Sequence, residues 1–239
     1  MAEFRRARHR KVARVLASLD AKVLARAQCY FGGGTRIALE LDEYRESEDI
    51  DFICSDLAGY RQLRSMIQGR SLGELMPSPK AGVSLMRDLR ADQYGIRTVF
   101  SVDGDPVKFE IILEARIRVA AMTLKKIAVP VLDRVSCFAE KWLANADRWS
   151  DTAVLNRDVI DLAFMLRAWS PEEAEAGAKL AAAAYGDTVL TCARAAATRL
   201  IEDVQYRRHC VDSLAIDDGA GLLAGLKQLI KFLKKGPGA

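Results

Sequence analysis

The chain has 239 residues, half of them hydrophobic and 28% charged, which is the composition of a globular protein of one large or two small domains and excludes a disordered one. No apolar run approaches the ~20 residues a membrane helix needs, the basic N-terminus does not read as a signal peptide, and Cys29, Cys54, Cys137, Cys192 and Cys210 read as buried free thiols of a reducing cytoplasm, not a zinc site. A net charge of +4 is too small to establish a nucleic-acid partner, although it is concentrated in Arg5, Arg6, Arg8, Arg10, Lys11 and Arg14 at one end and Lys227, Lys231, Lys234 and Lys235 at the other.

Residues 4–26 are predicted as one amphipathic helix, with Val12, Val15, Leu16, Leu19 and Val23 at helical spacing. Its basic residues lie on the wet face, as a solvated flank or as a phosphate-contacting surface. A short strand over 27–31 then runs into Phe31-Gly32-Gly33-Gly34-Thr35. Glycines let backbone approach a phosphate closely, and a helix starting there adds free N–H groups and the positive end of its dipole. Gly33, Gly34 and Thr35 are therefore candidates for holding a triphosphate. After a polar loop over 43–48, the alternation Asp49-Ile50-Asp51-Phe52-Ile53 predicts a strand with Asp49 and Asp51 on one face and Ile50 and Phe52 in the core. Two adjacent carboxylates repel unless a cation lies between them, and hard oxygen ligands of this kind suit Mg²⁺. A phosphate cradle beside a metal pair points to nucleotidyl transfer.

Asp56 is expected to cap a helix that runs to about Gln68 and stops at Gly69. Residues 83–90 and 95–102 read as strands, the second followed by the hairpin signal Asp103-Gly104 and a return strand over 107–113. That return strand places Lys108, Glu110 and Ile112 on one face. Glu110 becomes the candidate third carboxylate of a two-metal site, with Asp105 in the turn as the alternative and an exposed strand glutamate as the ordinary reading.

After Pro130 the chain reads as helical, giving predicted domains over 1–130 and 131–239. The first helix, over 133–146, carries Lys141 one step off its apolar stripe, where a lysine usually snorkels. The next, over 156–168, has Asp158 and Asp161 on one face, with Asp158 free to cap or to pair with Arg157. Four more are expected over 172–185, 188–201, 204–214 and 219–235. His9 and His209 stand alone among basic neighbours and look like neither metal ligands nor catalytic bases.

Gly33-Gly34-Thr35 and Ser47-Glu48-Asp49-Ile50-Asp51-Phe52, with Ala139-Glu140-Lys141-Trp142-Leu143 and Asn156-Arg157-Asp158-Val159-Ile160-Asp161-Leu162, resemble the DNA polymerase β-type nucleotidyltransferases. Within them the chain is most similar to the AbiEii/AbiGii toxin family of abortive-infection and toxin–antitoxin systems, over roughly residues 25–166. The resemblance implies an α+β fold in which a mixed sheet with flanking helices bears the site and a helical bundle closes over the nucleotide. It also implies that Lys141 holds the triphosphate of an NTP, that Asp161 is a site acid, and that Asp49, Asp51 and Glu110 bind Mg²⁺. The implied acceptor is RNA, the tRNA 3′ end, with translation blocked as the result and an antitoxin as partner. The rival readings are a small-molecule, antibiotic-type nucleotidyltransferase and an inactive nucleotide-binding protein of the same fold. A dinucleotide-binding loop is disfavoured because the later glycine is missing.

Overall fold

The structure is a computed structural model that describes residues 4–67 and 71–235. The chain divides into two compact units, one containing the residues up to Glu43 and Ser47–Asp133, the other Tyr44–Glu46 and the residues from Arg134 onward.

The first unit begins with α1 (Ala7–Leu16) and α2 (Ala21–Arg26). The single helix expected over 4–26 is thus two. Asp20 divides them: its carboxylate accepts the N–H groups of Lys22 and Val23 to cap α2, while its own N–H donates to Leu75 O. Next come β1 (Cys29–Gly32), α3 (Gly33–Glu40), β2 (Ile50–Cys54) and α4 (Leu57–Met66), the last capped by Asp56 onto the Gly59 N–H. The expected stop of α4 at Gln68-Gly69 lies outside the described residues. The remaining strands are β3 (Val83–Leu85), β4 (Arg90–Ala91), β5 (Gly95–Val102), β6 (Asp105–Leu113), β7 (Ala121–Met122) and β8 (Val131–Leu132). The strand predicted over 83–90 is two short ones, β3 and β4, each antiparallel to β5. β7 and β8 had no periodic signal to read, being two residues each.

The strands form one mixed sheet in the order β3-β5-β6-β2-β1-β8-β7, with β4 also on β5. β2 runs parallel to β6, and β1 parallel to β8; the other pairs are antiparallel. Between β5 and β6, Asp103 (φ 54°) and Gly104 (φ 92°) make the two-residue turn in which both residues are left-handed. Strand alternation then sorts the two faces. Phe31, Phe52 and Phe109 are buried together, with successive ring centroids 5.7 Å apart, and each such ring contributes about 1.5–3 kcal/mol by leaving water. The residues between them in sequence point the other way. Gly32, Asp51, Glu110 and Arg97 are register partners across β1, β2, β6 and β5, and form one row.

The second unit is helical: α5 (Arg134–Arg148), α6 (Arg157–Ala168), α7 (Pro171–Tyr185), α8 (Thr188–Glu202), α9 (Val204–Ser213) and α10 (Gly219–Lys235). The start of α7 is fixed by Ser170 and Glu173 in a reciprocal capping box with Pro171 at the first helical position. On α10, Leu222, Leu226, Leu229 and Leu233 are buried, while Lys227, Lys231, Lys234 and Lys235 are exposed. All five cysteines are free thiols, and all but Cys192 are buried. Among the described residues, no helix is long and apolar enough to cross a membrane.

Candidate active site

In the first unit, the glycine loop and the acidic strand meet at one point. Gly33 opens α3 with φ 68°, and a Cβ there would lie 3.0 Å from Asp51 Cβ and inside contact distance of Asp51 Oδ2. Only glycine lets the backbone turn left-handed while lying against that carboxylate. Gly32, the N-cap of α3, has no side chain to cap it, and a helix N-terminus of this kind suits an anion. Asp49 sits one residue before β2, half-exposed, with Oδ1 3.8 Å from Lys108 Nζ. Asp51 is the direct partner of Glu110 on the parallel neighbour strand, and Arg97 ion-pairs with Glu110. Asp105, at the hairpin end of β6, is exposed and paired with Lys11. Of the two acids considered for the third carboxylate, Glu110 is the one beside Asp51.

Thr35 is 1% exposed and its Oγ1 is 2.8 Å from Ser47 Oγ, two residues ahead of Asp49. Ser47 in turn donates its backbone N–H to His9 Nε2 at 3.2 Å. His9 is 0% exposed, and its Nδ1 lies 2.8 Å from Glu43 Oε1. Glu43 also accepts the N–H groups of Arg5 (2.7 Å) and Arg6 (2.9 Å). Burial pushes the Glu43 carboxyl up, but those N–H groups and the His9 ring outweigh it and hold it below the usual range. Sequence reasoning set His9 aside as neither metal ligand nor catalytic base and placed Glu43 only in a polar loop. The neighbouring cations of α1 are mostly spoken for: Arg8 pairs with Glu48, Lys11 with Asp105 and Arg14 with Asp103.

Lys141, Asp158 and Asp161 come together in the second unit. Lys141 is 6% exposed, and its Nζ is 2.8 Å from both Asp158 Oδ1 and Asp161 Oδ2, so it does not snorkel. Asp161 is fully satisfied: Oδ1 accepts Tyr44 Oη (2.5 Å) and Arg45 Nε (2.7 Å), and Oδ2 accepts Arg45 Nη2 (3.0 Å) as well as Lys141. Asp158 is held by Lys141 and Arg148, and it is buried. The surface pair with Arg157 considered from sequence is therefore not what holds it. Burial would raise both carboxyls, yet Arg45 and Lys141 at Asp161, and Lys141 and Arg148 at Asp158, outweigh it and hold both below the usual range. Burial would lower Lys141, and the two carboxylates reverse that. Tyr44 and Arg45 fall in a stretch that reads as polar loop, with no periodicity to mark them as buried.

Among the described residues, no three His, Cys, Asp or Glu side chains form a ready-made metal cluster. The donor set nevertheless fits a hard divalent cation of the kind that takes one or two carboxylates and completes its shell with water and phosphate. Asp49 and Asp51 are the oxygen donors such an ion would use, and Glu110 stands next to Asp51 in register, ion-paired with Arg97.

Comparison with known proteins gives the fold and the family. A proposed nucleotidyltransferase from H. pylori has a solved structure that superposes with a TM-score of 0.53 over 95% of each chain at 17% identity, which is a likeness of fold. An antigenic nucleotidyltransferase-like protein from Paracoccidioides brasiliensis is similar over 92% of each chain at 13% identity and a TM-score of 0.41. No curated protein sequence matches significantly. A model of the nucleotidyl transferase AbiEii toxin family, of type IV toxin–antitoxin systems, matches residues 14–217. The sheet that sets Gly33 against Asp51 is therefore a nucleotidyltransferase sheet, and the chain belongs to the AbiEii nucleotidyl transferase toxin family.

Proposed function

We propose that this chain transfers a nucleoside monophosphate from an NTP to the 3′ end of a tRNA and so blocks translation. The observation that carries the reading is the contact of the α3 N-terminus at Gly33 with Asp51, which sets an anion-binding backbone beside a metal-type carboxylate. The N–H groups of Gly33 and Gly34 and the hydroxyl of Thr35 seat the triphosphate. Asp49 and Asp51 would hold Mg²⁺, joined by Glu110 once Arg97 moves off it. When bound, such an ion neutralises the phosphates and acidifies the attacking hydroxyl. Asp158 and Asp161 hold the Lys141 ammonium charged and fixed, with two of its three N–H bonds used. Most of the rate then comes from positioning and charge stabilisation.

Family membership supports a cognate antitoxin as partner. A tRNA acceptor is supported by the four exposed lysines along α10, which offer contacts to a phosphate backbone. Incubating the protein with Mg²⁺, each α-labelled NTP and total tRNA tests the reading. Label is expected on tRNA with wild type and absent with Asp51→Asn, which should unfold at the wild-type temperature. Label on protein alone, or on nothing, would exclude the tRNA acceptor, and an Asp51→Asn enzyme at wild-type rate would exclude the metal assignment.

A further inference from the structure

We propose that His9 is a positioning residue for nucleotidyl transfer: it ties α1 to the stretch that carries Thr35, Ser47 and the acidic strand. The proposal rests on the reading of Asp49 and Asp51 as the transfer site. His9 lies outside residues 14–217, the span of the family match.

α1 turns His9, Val12, Val15 and Leu16 inward and its arginines outward, so this imidazole, 0% exposed, is the polar member of an apolar stripe. Its hydrogen bonds fix its state. Nε2 faces the backbone N–H of Ser47 and must accept, so the ring proton is on Nδ1 and is donated to Glu43 Oε1. Glu43 is itself specified. It sits in the left-handed region at φ 57° beside Asp42 at φ 51°, a costly conformation for non-glycine residues. There its carboxylate gathers the N–H groups of Arg5 and Arg6 at the start of α1, where Arg6 as N-cap makes no side-chain cap of its own. The chain of bonds runs on from His9 to Ser47, and from Ser47 Oγ to Thr35 Oγ1 at 2.8 Å. Arg8, the residue before His9 on α1, holds Glu48. Two consecutive side chains of one helix thus grip the two residues ahead of Asp49. A backbone N–H left without its buried acceptor finds another by shifting, and the residues downstream shift with it.

The test compares His9→Gln, His9→Asn and His9→Ala by steady-state kinetics and thermal unfolding, with Asp51→Asn as the control for the site. A glutamine carries an amide oxygen to the place of Nε2 and can accept from Ser47, whereas an asparagine reaches only the Nδ1 side. Loss of a properly placed group costs up to ~100-fold in rate for a displacement near 1 Å, so His9→Asn should lose roughly 10–100-fold in kcat with KM for the NTP little changed. His9→Gln should regain most of that rate. A merely structural role would lower unfolding temperatures without this split between Gln and Asn. Equal kcat in the Gln and Asn variants, or wild-type kcat in His9→Ala, overturns the proposal. If His9→Ala fails to fold, the Gln and Asn pair decides. An active Asp51→Asn would instead overturn the site reading, and an inactive one beside an unaffected His9→Asn would sink this proposal alone.

Discussion

At the scale of single residues, Gly33 shows how tightly one position is constrained. Gly33→Ala would force an L-residue into φ 68° and drive its methyl group against Asp51. Left-handed strain alone costs about 1–3 kcal/mol, and the loop must also move off the carboxylate. The expected outcome is loss of transfer activity with a lower midpoint in urea unfolding; a variant with wild-type kcat would show that the contact is not needed. Gly33, Asp49 and Asp51 were legible in the sequence because their chemistry is local: glycines, an alternating acidic strand, and the spacing of one short helix. His9 and Arg97 were not. A histidine among arginines looks solvated, and only Glu43, thirty-four positions away in sequence, makes it a buried donor. Nothing in the periodicity of β5 says that Arg97 stands opposite Glu110; sheet register decides it.

At the scale of elements, the buried cluster linking α5 and α6 with Tyr44 and Arg45 sets the energetics of the helical unit. Removing one partner of a buried ion pair leaves the other uncompensated and typically costs about 3–5 kcal/mol, so Lys141→Met should destabilise the protein by that order in urea unfolding, whatever it does to catalysis. The pH dependence follows from the directions of the shifts. Asp158 and Asp161 are held low, so their stabilisation is fully present above the unfolded carboxylate value near 3.9 and is lost as pH falls through their folded values. Lys141 is held high, so its share is present below about 10.4 and is lost only as pH rises through its folded value. Stability from the cluster is therefore flat from about pH 5 to 10 and falls on either side. Asp161→Asn should remove much of the acid limb of a stability–pH curve, and an unchanged limb would contradict this account. Helix boundaries in this region were largely readable because Ser170-Pro171, Gly186-Asp187 and Asp217-Asp218-Gly219 punctuate them with capping and turn chemistry. The burial of Lys141 was not readable, since its helical position is compatible with either a wet or a dry face until α6 supplies two carboxylates.

At the scale of the whole molecule, the fold class was legible because the glycine loop, the acidic strand and the change to helical character past Pro130 agree with one another. The uneven state of its charge was not. Of the two basic clusters, the N-terminal one is largely bound to acids of the same unit, through Arg8, Lys11 and Arg14, whereas the α10 lysines face solvent. Replacing Lys227, Lys231, Lys234 and Lys235 by glutamine should weaken tRNA binding and flatten its salt dependence, by up to about 0.7 per contact in the log–log slope for single-stranded segments. Affinity and slope measured across a salt series check this; an unchanged slope would place the acceptor elsewhere. The membership of Tyr44–Glu46 in the helical unit has a consequence for anyone who would divide the gene. No single scissor cut separates the two units: a fragment starting at Arg134 would carry Asp161 without the guanidinium that bonds both its oxygens and the phenol that bonds one, and a fragment ending at Asp133 would keep those two groups without their carboxylate. The segment that crosses from the sequence of one unit into the other is three residues long.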